Sequence, residues 1–185
     1  MTAKEKINKV DNEVNELVSK AQVALKGFMD LDQEQIDHIV AKASVAALDQ
    51  HGTLALSAVK ETGRGVFEDK ATKNLFACEH VINHMRHLKT VGIIDEDETM
   101  GITSIADPVG VVCGLTPVTN PTSTTIFKSL ICLKPRNPII FSFILLLLKV
   151  LKKQLGLYWM RRLQRVHLRI VFNGWNMFLK KKQRS

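Results

Sequence analysis

One stretch limits what this chain can become: Pro108 to Ser142, centred on Thr116-Pro117-Val118-Thr119-Asn120-Pro121. It is preceded by Asp107 and opens as Pro108-Val109-Gly110-Val111-Val112-Cys113-Gly114-Leu115, apolar and rich in β-branched residues, as a buried strand should be. A helix-compatible segment from Thr122 to Leu133 follows. Then come the breakers Lys134-Pro135-Arg136-Asn137-Pro138 and a second apolar run, Ile139 to Phe143. Strand, polar turn, helix, turn, strand is the order of a right-handed βαβ unit in a parallel sheet. The turn after the first strand then lies at the carboxyl edge of the sheet, where open α/β folds bind ligands.

The residues of that turn have useful chemistry. A helix starting behind it presents free backbone N–H groups. Asn120, held between Pro117 and Pro121, has a restrained backbone and an amide able to donate to a developing oxyanion. The hydroxyls of Thr116, Thr119, Thr122, Ser123, Thr124 and Thr125 suit ribose or phosphate contacts. No GxGxxG fingerprint accompanies them. Spacing alone therefore leaves two readings open, a ligand site or a Thr- and Pro-rich turn that merely caps a helix.

The residues before this stretch spell helices. Ile7, Val10, Val14, Leu17, Ala21, Leu25 and Phe28 recur every three or four residues and define one face of a long first helix. Asp32 caps a second helix, with Gln35 at the capping-box position and Ile36, Ile39, Val40, Ala43 and Ala47 facing inward; His51-Gly52 ends it. Thr53 caps a third, through Leu54, Leu56, Val59 and Lys60, which stops at Thr62-Gly63-Arg64-Gly65. A fourth pattern starts near Phe67 and runs through Leu75, Phe76, Cys78, Val81, Ile82 and Met85. All four read as helices covering a sheet.

On the fourth, His80 and His84 share a helical face, with His87 beyond them. No acidic residue completes an HExxH pattern, so a solvated basic face is favoured over a metal site. Val91 to Ile94 and Gly101 to Ala106 read as two strands around an acidic turn, Asp95-Glu96-Asp97-Glu98, which lacks the glycine of a calcium loop.

The net charge of +8 hides an asymmetry. Residues 144–185 hold 11 Lys+Arg and no Asp or Glu, which leaves 15 bases against 18 acids, a net of −3, in residues 1–143. A basic tail of this kind suggests a membrane or nucleic-acid arm. The apolar run Pro138 to Leu151 is short for a membrane span. A basic amphipathic anchor between Leu151 and Leu179, or a nucleic-acid arm with Trp159 and Trp175 as stacking groups, is the alternative function class. Cys78, Cys113 and Cys132 are widely spaced without a CxxC pair, a reduced, cytoplasmic usage. Cys113 is expected in a buried strand and Cys132 at a helix end. The amino terminus carries no signal-peptide core.

Several motifs carry a resemblance. Glu61-Thr62-Gly63-Arg64-Gly65-Val66-Phe67-Glu68-Asp69-Lys70, Ala77-Cys78-Glu79-His80, Pro108-Val109-Gly110-Val111-Val112 and Thr116-Pro117-Val118-Thr119-Asn120-Pro121-Thr122-Ser123-Thr124 resemble the start of the aldehyde dehydrogenase half of the bifunctional aldehyde–alcohol dehydrogenases. These are CoA-acylating acetaldehyde dehydrogenases of the fermentation type. The likeness covers about the first 143 residues and is specific to this branch, most of the superfamily having Pro-Trp-Asn where this chain has Pro-Val-Thr-Asn.

The resemblance implies an α/β fold: N-terminal helices plus the first part of a Rossmann-type parallel sheet of the aldehyde dehydrogenase fold, truncated, with residues 1–143 a partial NAD-binding domain. It implies that Asn120 supports the oxyanion. Leu115, Thr116, Pro117, Val118 and Thr119 would line the nicotinamide side of an NAD site, and Ser142 would contact the adenosine ribose. It implies acetaldehyde, acetyl-CoA and CoA as substrates of the intact enzyme, a cysteine thioester as intermediate and a homo-oligomer. No metal is expected from the histidine helix, and no membrane or nucleic-acid partner is expected of a tail that a shifted frame would leave unselected. The family's nucleophilic cysteine lies beyond residue 185, and Cys78, Cys113 and Cys132 are outside its motif.

After Phe141-Ser142-Phe143 the family pattern stops. Where it continues His-Pro-Ser-Ala, this chain has Ile144-Leu145-Leu146-Leu147-Leu148-Lys149. Leucine codons read one base earlier become proline, serine or alanine codons, so Ile144 to Lys149 can spell His-Pro-Ser-Ala-Leu-Lys. The same shift turns Met160 to Arg165 into Asp-Ala-Ala-Ile-Ala-Glu, and Val166 to Trp175 into a family-like run ending Cys-Ile-Gln-Trp. Residues 144–185 are thus expected to be a frameshift product, from loss of one base near the codon for Phe143. The polypeptide is expected to be inactive, with an exposed apolar strand edge that harms folding.

Overall fold

The computed structural model describes residues 3–143. The readings placed on residues 144–185 lie outside the described residues.

Four of the helices assemble as their sequences direct. α1 (Ala3–Met29) buries Leu17, Ala21 and Phe28 of the expected stripe, together with Ala24. Val14 is exposed; among the described residues, α1 joins the main core through Ala24 and Phe28 near its carboxyl end. α2 (Gln33–Leu48) starts with the expected capping box. Asp32 Oδ1 accepts from the Gln35 N–H at 2.8 Å, and Gln35 Oε1 accepts from the Asp32 N–H at 3.0 Å. Its inward residues Ile36, Ile39, Val40, Ala43 and Ala47 are all buried.

α3 (His51–Thr62) begins earlier than Thr53. His51 and Gly52 open this helix instead of ending α2, and the His51 ring bonds the Leu48 carbonyl at 2.7 Å, so the two helices meet in a two-residue joint. Leu54 is buried and Leu56 exposed. Gly63 ends α3 in the left-handed conformation, φ 62°, which a residue without Cβ adopts freely.

The fourth expected helix is two, α4 (Phe67–Cys78) and α5 (His80–Met85). Glu79 breaks the path, and the Cys78 carbonyl beside it accepts from the buried Ser44 hydroxyl of α2. Phe67 and Phe76 are exposed, not core; Phe76 stacks on His80 with ring centroids 5.1 Å apart.

β1 (Gly92–Asp97) and β2 (Ile102–Ala106) form an antiparallel hairpin with a bulge between Ile93 and Asp95. Three of the four acidic residues expected in the turn lie in β1. The turn itself is held by Asp97, whose carboxylate accepts from the N–H groups of Thr99 and Met100 at 2.9 and 3.0 Å.

β3 (Val112–Thr116), α6 (Pro121–Leu133) and β4 (Ile139–Phe143) close the described residues as a crossover, with β3 and β4 parallel and in register from Val112↔Ile139 to Thr116↔Phe143. Gly114 permits that pairing. A Cβ there would lie 2.8 Å from Ile139 Cδ1 and 3.0 Å from the Phe141 ring. Cys113, expected to be buried, is exposed.

Of the helices, α6 packs on both strands of this sheet and α1 reaches β4, while α2, α3 and α4 pack on α6. The larger core is made of helix residues, with α6 at its centre through Ile126, Leu130 and Leu133. The strands form a smaller cluster of Ile139, Phe141 and Val112 around Cys132, on another side of α6. α6 is therefore the shared layer that carries the load of α2, α4 and the sheet alike. Among the described residues no helix is long and apolar enough to cross a membrane.

The segment between α6 and β4, legible in sequence only as breakers, is a buried polar junction. Lys134 pairs with Asp37 of α2 and donates to the Arg86 carbonyl at 3.2 Å. Arg136, at φ 61°, donates to the Met29 carbonyl at 3.0 Å, and Asn137 Oδ1 accepts from the Gly110 N–H at 3.1 Å. Buried polar groups persist when so partnered. The junction fixes where α6 turns back, and hence the depth of β4 beside β3.

Candidate functional site

The turn from Thr116 to Asn120 lies where the sequence puts it, between the carboxyl end of β3 and the start of α6. Leu115 and Ser142 sit opposite each other in the parallel pair, both exposed at the end of the strands. Pro117 and Thr119 are exposed as well. Thr116 is 2% exposed, and its Oγ1 has no hydrogen-bond partner among the described residues. A buried, unpartnered hydroxyl at a strand end is an unfilled polar position. Val118 is half-buried and packs against the helical core, so it acts as the foot of the loop.

Asn120 occupies the N-cap position of α6 at φ −136°, ψ 61°, but its side chain does not cap the helix. Its Oδ1 instead accepts from Lys73 Nζ at 3.4 Å. With the oxygen so engaged, the Nδ2 amide is the group turned away from the lysine and available to donate. Pro121 supplies no N–H and the helical ladder begins with Thr124 N–H to the Asn120 carbonyl at 3.2 Å, so the amides of Thr122 and Ser123 precede that ladder.

Not every hydroxyl of the turn is available. Thr122 is buried and donates to Asn74 Oδ1 at 2.9 Å, while Asn74 Nδ2 donates to the His51 carbonyl at 2.8 Å. Thr125, also buried, donates to the Pro121 carbonyl at 2.8 Å. These two are structural, which corrects the expectation that they suit ligand contacts. A Thr in the first turn of an amphipathic helix faces inward as readily as outward, and the bare sequence cannot separate the cases.

Three lysines surround the turn. Lys70 donates to the Thr119 carbonyl at 2.6 Å, Lys73 reaches Asn120, and Lys128 donates to the Leu115 carbonyl at 2.6 Å. Burial, with Lys73 nearby as the lesser cause, pushes the Lys70 ammonium below its ordinary value. None of the three was singled out from the sequence: burial of a lysine such as Lys70 is rare, and the carbonyls and amide that the three meet are set by tertiary contacts.

The cysteines lie apart from this turn in role. Cys78 is buried and its thiol is pushed up to about 12, first by burial and then by Glu79. Cys132 is buried and raised by the same first cause. Neither is poised as a thiolate.

No family model matches the chain. It is 71% identical over 136 residues to aldehyde-alcohol dehydrogenase 2 of Entamoeba histolytica, a match covering 72% of this chain and 16% of that protein. It is 70% identical over 143 residues to the aldehyde-alcohol dehydrogenase of Streptococcus pneumoniae serotype 4, covering 77% and 16%. Among solved structures, an acetylating aldehyde dehydrogenase from Geobacillus thermoglucosidasius superposes with a TM-score of 0.80 at 41% identity, covering 88% of this chain and 35% of that one. More distant neighbours include an engineered glycolyl-CoA reductase with bound NADP+ and a Rhodopseudomonas palustris propionaldehyde dehydrogenase with bound propionyl-CoA, both at TM-score 0.66 and at 26% and 25% identity. The chain thus spans about one sixth of the length of the relatives it matches in sequence.

Proposed function

We infer that this chain, whose sequence belongs to the N-terminal region of the bifunctional aldehyde–alcohol dehydrogenases, is a piece of the acylating aldehyde dehydrogenase half, an oxidoreductase that interconverts acetaldehyde and acetyl-CoA. The observation that carries this reading is Asn120, presented at the carboxyl end of a parallel strand with its Oδ1 engaged and its Nδ2 free to donate. A thioester-forming reaction places negative charge on the former carbonyl oxygen, and a fixed amide donor aimed at that oxygen lowers the barrier. The proline on either side limits how far the donor can swing.

The residues present fit a nicotinamide cofactor. Leu115, Pro117 and Thr119 offer an exposed wall at the end of β3, Thr116 adds its unpartnered hydroxyl, and Val118 anchors the wall from below. Ser142, exposed at the end of β4, is suited to a ribose hydroxyl. NAD is the nicotinamide cofactor assigned in this reading. Bound there, the nicotinamide supplies or accepts hydride. The nucleophile is assigned to none of Cys78, Cys113 and Cys132. Residues 1–143 form the partial cofactor domain and residues 144–185 a tail read in a shifted frame. A cytoplasmic setting suits the unpaired thiols, and a homo-oligomer suits the family.

The test uses the gene twice. As it stands, the 185-residue chain gives no turnover of acetyl-CoA with NADH; any turnover would overturn the reading. With one base restored after the codon for Phe143, the longer product is expected to be active with NAD(H). In that product Asn120→Ala lowers kcat by about 10²- to 10³-fold with KM little changed. An unaltered kcat would remove Asn120 from the site.

A further inference from the structure

Two lysines on one helix converge on the loop that carries Asn120. Lys70 and Lys73 lie one turn apart on α4, and both reach the segment between β3 and α6, 49 and 47 residues away in sequence respectively. Lys70 is unusual in being only 6% exposed. Its stem passes beneath Gly65, whose φ of 71° belongs to the left-handed region and whose position would set a Cβ 3.4 Å from Lys70 Cε. Its ammonium is directed to the Thr119 carbonyl at 2.6 Å, a charge-assisted bond at the residue just before Asn120. Lys73, exposed, then takes the Asn120 side-chain oxygen.

The two contacts have different consequences. The Lys70 bond fixes the peptide between Thr119 and Asn120, so it sets where the asparagine Cα stands. The Lys73 bond selects one face of the amide, because an ammonium can meet only the oxygen and repels the –NH2 group. Asn74, on the same helix, adds a third tie by accepting from the Thr122 hydroxyl just beyond Pro121. Helix α4 therefore grips the turn on both sides of its proline.

We propose that Lys70 and Lys73 are positioning residues, which hold the Thr119–Asn120 segment in one conformation with the asparagine Nδ2 turned outward as a donor. Its value for catalysis rests on the oxyanion role given to Asn120 above, but the restraint itself can be measured in the chain as it exists.

The experiment is hydrogen exchange by NMR on the full 185-residue chain labelled with ¹⁵N, the Asn120 carboxamide being identified by its loss in Asn120→Ala. Lys70→Met, of similar length and without a donor, is expected to speed exchange about ten- to hundredfold at the Thr124 backbone amide, which donates to the Asn120 carbonyl, while α2 stays protected. Lys73→Met should shift and broaden the Asn120 Nδ2 pair, and Lys73→Arg should restore it. Unchanged exchange in Lys70→Met with an unchanged carboxamide in Lys73→Met overturns the proposal. Should Lys70→Met lose protection in α2 as well, the Lys73 pair decides, since that side chain is exposed and carries no core contact. A normal kcat for Asn120→Ala in the frame-restored enzyme would sink the oxyanion role alone and leave the exchange result standing.

Discussion

At the scale of single residues, the molecule depends on positions where the exceptional side chain is the informative one. Gly114 is required by its neighbours across the sheet and not by its backbone, since Ile139 and Phe141 fill the space a Cβ would take. Gly114→Ala is expected to cost about 1–3 kcal/mol by overpacking, read as a lower denaturation midpoint at unchanged m-value. Cys78 makes a pH-dependent prediction. In the folded chain its thiol keeps its proton up to about 12, against an ordinary value of 9.0. Between those values the unfolded chain releases a proton that the folded chain retains, so this group's contribution is complete below pH 9.0 and is lost as pH rises toward about 12. Cys78→Ala should flatten that part of the stability profile. Under native conditions an alkylating reagent should mark Cys113, the exposed thiol, and spare Cys78 and Cys132 until denaturant is added.

At the scale of elements, periodicity identified what backbone chemistry dictates and missed what tertiary contacts decide. The Asp32–Gln35 capping box and the Gly63 stop are local signals with one physical solution each, and both form as read. The parallel pairing of β3 and β4 followed from the strand–helix–strand order. The divided fourth helix was not legible, because the Ser44 hydroxyl that meets the Cys78 carbonyl comes from 34 residues away. Nor was the exposure of Phe76, which fits a helical pattern yet stacks on His80 at the surface. The Lys134–Asn137 junction escaped for the same reason, since its partners lie on α1, α2 and the end of α5. Asn120 and its prolines could be picked from sequence; the lysines that restrain it could not. The claim that α6 is the shared layer has its own check. Leu130 is fully buried at its centre, and Leu130→Ala should cost about 2–5 kcal/mol, several times the effect of the same truncation at the exposed Leu56.

At the scale of the whole molecule, the described residues leave apolar surface uncovered around the two short sheets and the turn between β3 and α6. Val109, Leu115 and Ile105 are 87, 66 and 65% exposed, clustered in sequence about the two short sheets. Single exposed apolar residues are ordinary, but a run of them flanking paired strands marks a surface shaped to meet more protein. On the proposed shifted frame, the +11 charge of residues 144–185 would need no partner to explain it.

The most direct measurement is the nucleotide sequence of the coding strand from the codon for Ile140 through the stop after Ser185 and onward. The neighbouring register, entered by restoring one base near the codon for Phe143, is expected to read His-Pro-Ser-Ala and to continue as dehydrogenase sequence past the stop. If no register downstream of Ser142 yields such sequence, the interrupted-enzyme account is contradicted, and the cationic tail becomes a feature of the protein in its own right.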